Sequence, residues 1–252
     1  MLIDTHCHIH EKDYSLKIAN VLAEAKKATV EKIICVGTSG DSSKQAVRFA
    51  KKHKPAFSAV GVHPHDAKDG IAYVERLLTR KLPKKLVAVG EIGLDYFYGH
   101  SPREVQIKAF ERQLELAIKN NLPVIFHVRD AFDDFWPIFD SVPNVRGVLH
   151  SFTDNAKNLE KALARGLYIG VNGISVFTKN ADQQQTFDAI PLTSLLLETD
   201  APFLTPPPYR GKINQPAYIQ EIAEYHATRR SISVAKIAQE TTKNAQALFT
   251  LS

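Results

Sequence analysis

The 252-residue sequence has little cysteine and no long hydrophobic run. It contains only two cysteines, Cys7 and Cys35, which excludes a secreted domain held together by disulfides. No stretch approaches the ~20 consecutive apolar residues of a membrane-spanning helix. The N-terminus carries charge and histidine where a signal peptide would have its basic and apolar regions. We therefore expect a cytoplasmic protein with no membrane partner.

The sequence also lacks the compositional bias of disordered, collagenous or coiled-coil chains. Hydrophobic residues make up 44% and charged residues 23%, as in ordinary globular proteins. The 32 basic residues outnumber the 27 acidic ones, and the net charge of +5 is compatible with an anionic partner such as nucleic acid without identifying one. No linker rich in glycine and serine interrupts the chain. We predict a single domain over residues 1–252.

Short runs rich in valine, isoleucine and leucine recur along the sequence and alternate with segments of helical spacing. Each run is typical of a strand that is buried on both faces. The runs are Leu2 to Ile9, Lys32 to Gly37, Phe57 to His63, Leu86 to Asp95, Pro123 to Arg129, Arg146 to Phe152, Tyr168 to Gly173 and Leu195 to Asp200. This number of strands in a chain of about 250 residues predicts a (β/α)8 TIM barrel with parallel strands, and a doubly wound open sheet is the alternative.

Two helices and one loop are also predicted. Apolar stripes predict helices over Pro102 to Asn120 and from Val234 to Phe249. Ser101 and Glu104 have the spacing of a capping box, so we expect them to cap the first of these helices. The loop Ala201 to Pro216 carries five prolines and follows the last strand. It is a candidate lid or binding loop, because loops at strand carboxyl ends build the site of a barrel.

Metal-ligating residue types stand at the ends of most of the predicted strands. Each one alone is more often incidental than a ligand, but their shared position at the carboxyl ends favours a metal site in a barrel. Side chains two residues apart on a strand point the same way, so His6 and His8 can chelate one ion. The residues at strand ends are His6, His8, His63, Glu91, His127, His150 and Asp200.

This set of side chains has enough donors for two divalent ions. Four of these histidines together with Glu91 and Asp200 suit Zn²⁺, Mg²⁺ or Mn²⁺, and Glu91 can bridge two ions through its two carboxylate oxygens. Two ions ~3.5–4 Å apart activate water and clamp a phosphoryl group during its transfer. We therefore expect two divalent cofactors and a phosphodiesterase reaction on nucleic acid.

Residues that could hold an anionic polymer lie near these positions. Arg129 points the same way as His127 and can bind a phosphate through two nitrogens, although an ion pair of Arg129 with Asp130 or Asp133 is equally compatible with the sequence. The run Tyr96 to Tyr98, and Tyr209 with Arg210, interleave aromatic and basic side chains as single-strand binding proteins do. We therefore list Arg129, Tyr209 and Arg210 as candidate substrate contacts.

Taken together, these motifs resemble the TatD family of metal-dependent deoxyribonucleases, within the amidohydrolase-like barrels. They occur in family order over the whole chain: Ile3 to His8, Gly61 to His65, Gly90 to Asp95, His127 to Asp130, His150 to Phe152, Leu197 to Pro202, Tyr209 to Gly211 and Thr242 to Ala245. The sequence departs from the family pattern at Asp154, where the family usually has glycine, and at Gln215, where it usually has glutamate.

The resemblance implies a role for each candidate residue. Its ligand positions fall on His6, His8, Glu91, His127, His150 and Asp200, and its substrate-contacting histidine is His63. In this scheme Glu91 bridges two ions and Asp200 orients or deprotonates the attacking water, while His63 and Arg129 stabilise charge on the phosphoryl oxygens. The implied activity is that of a 3′-to-5′ exonuclease on single-stranded DNA ends.

Two other functions remain open on the sequence. Barrels of this kind also hydrolyse amides and esters, so a metal-dependent hydrolase acting, for example, on mis-acylated tRNA is the alternative enzyme. The glutamate at the bridging position favours a phosphodiester substrate, because many of the amidases that this kind of barrel resembles have a modified lysine there. A nucleic-acid-binding protein without catalysis is disfavoured, because all six expected ligands are present.

Overall fold

In the computed structural model of the protein, which describes residues 1–251, eight β-strands form one sheet in chain order. The strands are β1 (Leu2–Cys7), β2 (Val30–Val36), β3 (Ala56–Val60), β4 (Leu86–Asp95), β5 (Val124–Arg129), β6 (Gly147–Leu149), β7 (Tyr168–Val171) and β8 (Leu195–Leu197). Each overlaps one predicted run, and the pairs with assigned register are parallel. In a doubly wound sheet the spatial order of the strands differs from their order in the chain. The sequential order observed here therefore excludes that alternative and confirms the predicted (β/α)8 barrel.

Helices follow the strands along the chain. The α-helices are α1 (Ile18–Lys27), α2 (Gly40–Lys52), α3 (Ala72–Leu78), α4 (Arg103–Lys119), α5 (Phe132–Asp140), α6 (Ala156–Ala164), α7 (Gly173–Phe177), α8 (Ala181–Ala189), α9 (Ile219–Arg229) and α10 (Val234–Phe249). Short 3₁₀ helices occupy Pro64–Asp69, Leu192–Ser194 and Pro216–Tyr218. Within residues 1–251, no helix has both the length and the apolar character that a membrane span requires.

The chain divides into two compact units. The first unit consists of Met1–Ile34 and the chain from Ser151 onward, and the second is Cys35–His150. The expectation of a single domain stays a prediction.

In the first unit, β1 lies beside the end of β8. Cys7 forms a parallel bridge with Ala201, and the hydroxyl of Thr5 donates to the Leu197 carbonyl at 2.9 Å. The predicted C-terminal helix is present as α10, which packs on both strands, and the buried Asn244 amide donates to the Leu195 carbonyl. These contacts hold the two strand ends together.

In the second unit, β3 to β6 pair in order and α4 packs against β4. The core beneath α4 and α5 contains the stacked rings of Phe110 and Phe135, whose centroids are 5.6 Å apart, and Phe126 meets both rings edge to face. Of the stripe predicted for α4, Phe110, Leu114 and Ala117 are fully buried. The apolar face of α4 therefore fixes the helix on the strands that carry the candidate residues of this unit.

The predicted capping box is wrong. Helix α4 begins at Arg103, and Pro102 occupies the N-cap position without a side-chain hydrogen bond. The Ser101 hydroxyl instead donates to the His65 carbonyl at 2.7 Å and accepts from the Lys68 amide. A tertiary contact to the loop after β3 has replaced the local cap, which a four-residue pattern cannot reveal.

Gly93 allows β4 to approach β5 closely. Its φ is +146°, and a Cβ at this position would lie 2.0 Å from the His127 carbonyl oxygen, so a side chain cannot be accommodated. Gly93 and His127 are register partners. The close approach places Glu91 and Asp95, which flank Gly93 on β4, next to the His127 ring.

Candidate metal centre

The first ligand group lies where β1 meets the segment after β8. The Nε2 atoms of His6 and His8 are 3.1 Å apart, as expected for side chains two residues apart on a strand. Asp200 Oδ1 lies 3.7 Å from His6 Nε2 and 3.3 Å from His8 Nε2. Three potential ligand atoms therefore converge within the first unit.

Backbone contacts and a buried carboxylate hold this group in place. The Asp200 amide donates to the His6 carbonyl at 2.9 Å, and the His8 amide donates to the Ala201 carbonyl at 2.7 Å. The Asp4 carboxylate accepts hydrogen bonds from both the amide and the hydroxyl of Thr199. Burial raises the pKa of Asp4 to about 7 in spite of these hydrogen bonds.

The second ligand group surrounds the carboxylate of Glu91 in the second unit. Glu91 Oε1 lies 2.9 Å from His127 Nδ1, 3.5 Å from His63 Nε2 and 3.7 Å from His150 Nε2. All four side chains are largely buried. The Glu91 amide donates to the Gly37 carbonyl, which fixes the backbone at the centre of the group.

The hydrogen bonds of His63 distinguish its role from that of its neighbours. His63 Nδ1 accepts from the His65 amide, so in the neutral ring the proton is on Nε2. Burial, and next the nearby His127, hold the pKa of His63 well below its usual value. The His63 ring is therefore neutral. In this tautomer the Nε2 atom that faces Glu91 is a hydrogen-bond donor. His63 can therefore donate a hydrogen bond from Nε2, and its role as a substrate contact stays a prediction.

His127 lies between two carboxylates. Its Nδ1 contacts Glu91 and its Nε2 contacts Asp95 Oδ2 at 2.8 Å. Burial acts to lower the pKa of His127, but the hydrogen bonds to Asp95 and Glu91 outweigh burial and raise it. An imidazole whose Nε2 proton is donated to Asp95 keeps Nδ1 for a metal ion, an arrangement common for metal-bound histidine.

Both groups have the donor chemistry and spacing of metal sites. In the first group (His6, His8 and Asp200), and among His63, Glu91 and His127 in the second, the ligand atoms lie within 4.8 Å of one another. Nitrogen and oxygen ligands ~2.0–2.2 Å from a zinc ion have mutual distances in this range. A mixture of imidazole and carboxylate suits borderline divalent cations. The residues present therefore fit a divalent metal.

The sequence analysis missed several residues that position these groups. Asp95 had no assigned role, and neither did two buried glutamines of α4. Gln106 hydrogen-bonds both the amide and the carbonyl of Asp95, and Gln113 does the same for Val62, the residue before His63. The available signal was a pair of glutamines seven residues apart on the otherwise apolar face of α4.

The candidate substrate contacts have partners within their own units. The Arg129 guanidinium lies 3.9 Å from the centre of the Phe97 ring, and within the described residues it pairs with neither Asp130 nor Asp133. In the proline loop, the Tyr209 ring stacks on Tyr218. Arg210 donates to the Thr205 carbonyl and lies over the Phe177 ring.

The proline loop itself is held by Asn214. Its buried side-chain amide donates to the carbonyls of Thr199 and Phe203, and its backbone amide donates to the Pro202 carbonyl. The Tyr14 hydroxyl donates to the Asn214 carbonyl. Asn214 therefore ties the loop to the segment that carries Asp200, beside the position where Gln215 departs from the family pattern.

A (β/α)8 barrel that carries buried clusters of imidazole and carboxylate side chains is typical of metal-dependent hydrolases. Comparison with known proteins identifies the family within this class. The family model described as TatD related DNase matches residues 3–250. The chain belongs to this family and is a metal-dependent hydrolase.

Relatives in bacteria match nearly the whole chain. The chain is 35% identical to the uncharacterized metal-dependent hydrolase YabD of Bacillus subtilis, with full coverage of both proteins. It is 32% identical to a protein of Shigella flexneri named 3′-5′ ssDNA/RNA exonuclease TatD, over 98% of each chain. The crystal structure of YJJV, a TatD homologue from Escherichia coli, superposes with a TM-score of 0.92 at 31% identity, over 100% of this chain and 98% of that one.

Proposed function

We propose that this hydrolase is a two-metal phosphodiesterase that removes nucleotides from the 3′ ends of single-stranded DNA. The observation that carries the proposal is the presence of two ligand groups, one in each unit. Two ions suit phosphoryl transfer, because they stabilise both the attacking and the leaving oxygen. A relative at 32% identity is named as an exonuclease of single-stranded DNA and RNA, which supports a nucleic acid as the substrate.

Each group would hold one ion in this proposal. His6, His8 and Asp200 would hold one ion, and His127 and His150 with Glu91 would hold the other. Bound divalent ions would supply an acidic water and a Lewis acid for the phosphoryl oxygens.

The protein's own groups would move the proton and neutralise the developing charge. Asp200 accepts the proton of the attacking water, because its carboxylate lies 3.7 Å from the His6 nitrogen and 3.3 Å from the His8 nitrogen of its group. His63 donates from Nε2 to a phosphoryl oxygen, and Arg129 adds a permanent positive charge. Tyr209 and Arg210 contact the DNA strand from the proline loop.

Cleavage of end-labelled oligonucleotides tests this proposal. Protein treated with EDTA should leave 3′-labelled and 5′-labelled single strands intact, and restored Mg²⁺, Mn²⁺ or Zn²⁺ should give products that shorten from the 3′ end. Glu91→Ala and Asp200→Asn should each reduce cleavage by at least about 100-fold while the circular dichroism spectrum stays unchanged. Glu111→Ala removes an exposed carboxylate of α4 and serves as the matched control.

Parallel assays separate the nuclease from the alternative hydrolase. Metal-loaded protein that leaves every oligonucleotide intact but hydrolyses an acyl ester, such as a mis-acylated tRNA, would replace the nuclease with an esterase of the same barrel. Near wild-type nuclease activity in Glu91→Ala or Asp200→Asn would contradict the assigned roles.

A further inference from the structure

Two adjacent aromatic side chains are exposed in the loop after β4. Phe97 is 56% exposed and Tyr98 is 51% exposed, whereas most large hydrophobic side chains of residues 1–251 are buried. The Arg129 guanidinium lies over both rings, 3.9 Å from the centre of Phe97 and 4.9 Å from that of Tyr98. We call these three side chains the aromatic platform.

The platform has a defined shape. The Phe97 and Tyr98 rings meet edge to face, with centroids 4.8 Å apart. The Tyr98 ring is also stacked on His100, at an interplanar angle of 8°. Arg129 is exposed, and within the described residues its guanidinium forms ring contacts only, so its N–H groups remain available to a phosphate.

Asp95 connects the platform to the second ligand group. One carboxylate oxygen of Asp95 accepts hydrogen bonds from the amides of Phe97 and Tyr98. The other oxygen accepts from His127 Nε2. The Tyr98 ring also contacts His65 edge to face, with centroids 5.2 Å apart. One buried carboxylate thus positions a ligand histidine and the backbone of the two exposed aromatic residues.

We propose that the aromatic platform is a stacking subsite for a nucleobase of the single-stranded substrate, near the phosphodiester that is cut. The inference rests on the proposed nuclease function and extends it. About half of each side chain is exposed, and this exposed aromatic surface can stack on a base of any sequence. The Arg129 guanidinium that lies over the rings suits the phosphate that accompanies each base. The Tyr98 hydroxyl is the one polar group on the Phe97 and Tyr98 rings that could hydrogen-bond to the edge of a base. The subsite should therefore tolerate all four bases.

Substrates that lack one base test this inference directly. The oligonucleotides carry a single abasic residue at the last, second or third position from the 3′ end, and an intact strand is the reference. For the wild-type protein we expect KM to rise about 10-fold or more at one of these positions, because base stacking on an aromatic ring contributes that much to binding. The Phe97→Leu/Tyr98→Leu double variant should bind the intact strand as weakly as the wild type binds the abasic strand, and it should no longer distinguish the two.

A binding measurement gives a readout that does not depend on catalysis. Fluorescence anisotropy with labelled single strands in EDTA should show the same loss of discrimination in the double variant. Tyr98→Phe keeps the ring and should retain the discrimination. Tyr73→Leu, on α3 of the same unit, is the control for loss of an aromatic residue elsewhere and should behave as wild type.

The outcomes distinguish the inference from the function on which it rests. Wild-type protein that cleaves intact and abasic strands with equal KM at all three positions would overturn the stacking subsite and leave the nuclease intact. A double variant that discriminates as well as the wild type would also overturn it. Protein that neither cleaves nor binds single-stranded DNA would instead contradict the nuclease proposal.

Discussion

Asp95 holds His127 of the second ligand group and the backbone of the loop after β4. It contacts His127 and His65 through one oxygen and two loop amides through the other. Burial acts to raise the pKa of Asp95, but the hydrogen bond from His127 and those from the loop outweigh burial and hold the pKa below its usual range. The carboxylate is therefore ionised and fixes the His127 tautomer that keeps Nδ1 for a metal.

Asp95→Asn should weaken metal binding without removing a proposed ligand. The amide nitrogen of asparagine would face the Nε2–H of His127, which favours the other tautomer and takes Nδ1 out of use. We expect the affinity for one ion to fall about 10- to 100-fold, the range found for groups that orient ligand histidines. Competition with a chromophoric chelator measures this affinity, and Asp69→Asn is the control. An unchanged affinity would mean that Asp95 does not position His127.

His226 is a buried histidine on α9 of the first unit and belongs to neither ligand group. The Ser175 hydroxyl donates to the Asn172 carbonyl, so its 2.9 Å contact with His226 Nε2 has the imidazole as donor. His226 Nδ1 is buried and has no partner within the described residues. Burial, together with the nearby Arg230, lowers the pKa of His226 to about 3.

The free energy of unfolding should therefore fall as the pH drops below about 6.5, the ordinary pKa of a histidine side chain. The unfolded chain takes up a proton at this pH and the folded chain does not, so stability is complete above the unfolded pKa and is lost on acidification. The loss from His226 is about 1.4 kcal/mol per pH unit. Urea unfolding at pH 7.5, 6 and 5 measures it against His226→Gln, which keeps a donor for Ser175. Parallel curves for the two proteins would refute the assignment.

At the scale of elements, helix α4 positions two strand ends. Gln113 accepts from the Val62 amide at 2.7 Å and donates to the Val62 carbonyl at 3.1 Å, and His63 is the next residue. Gln106 plays the same part for Asp95 at the end of β4. A helix that covers the sheet therefore also sets the backbone from which the candidate catalytic side chains project.

Gln113→Leu should destabilise the second unit and impair turnover. The substitution leaves the buried amide and carbonyl of Val62 without partners, which costs about 2 kcal/mol or more. Because His63 follows Val62, we expect kcat to fall more than KM changes. Denaturant unfolding and steady-state cleavage measure the two effects, with Glu111→Leu on the exposed face of α4 as control. Wild-type stability and kcat in Gln113→Leu would show that the hydrogen bonds to Val62 are dispensable.

The elements show what the sequence can and cannot predict. Strands and the long helices were predictable, because runs of branched apolar residues and apolar stripes depend on the period of each element alone. The cap of α4 was not, because the Ser101 hydroxyl is engaged by His65 and Lys68 from another loop. Gln106 and Gln113 were missed for the same reason: a buried polar side chain acquires its meaning from a partner that is distant in sequence.

At the scale of the whole molecule, the candidate ligands come from widely separated segments. The sequence could propose them as a set because the parallel strands of a barrel all end on one face, so their position at strand ends served as the signal in place of a local motif. Their supporting residues were not, since the roles of Asp4 and Asp95 depend on hydrogen bonds that only the folded chain makes. The metal-binding roles of the ligands stay predictions until metal is measured.

Metal content and thermal stability provide that measurement for the two groups separately. Wild-type protein dialysed against Zn²⁺ or Mn²⁺ should retain about two ions per chain. The His6→Ala/His8→Ala variant should retain about one, because it has lost the imidazoles of the first group alone, and His127→Ala/His150→Ala should likewise lose the other.

Bound metal should also raise Tm, since an ion present at 100 times its Kd stabilises the folded state by about 2.7 kcal/mol. Each double variant should lose part of this rise, whereas His53→Ala, which removes a histidine at the end of α2, should keep all of it. If both double variants kept the full metal content and the full rise in Tm, the ion sites would lie elsewhere, and the assignment of both groups would be wrong. If only one double variant kept them, the group altered in that variant would not bind an ion. A wild-type content of one ion per chain would make the protein a one-metal hydrolase, which would shift the expected substrate from a phosphodiester towards an ester or amide.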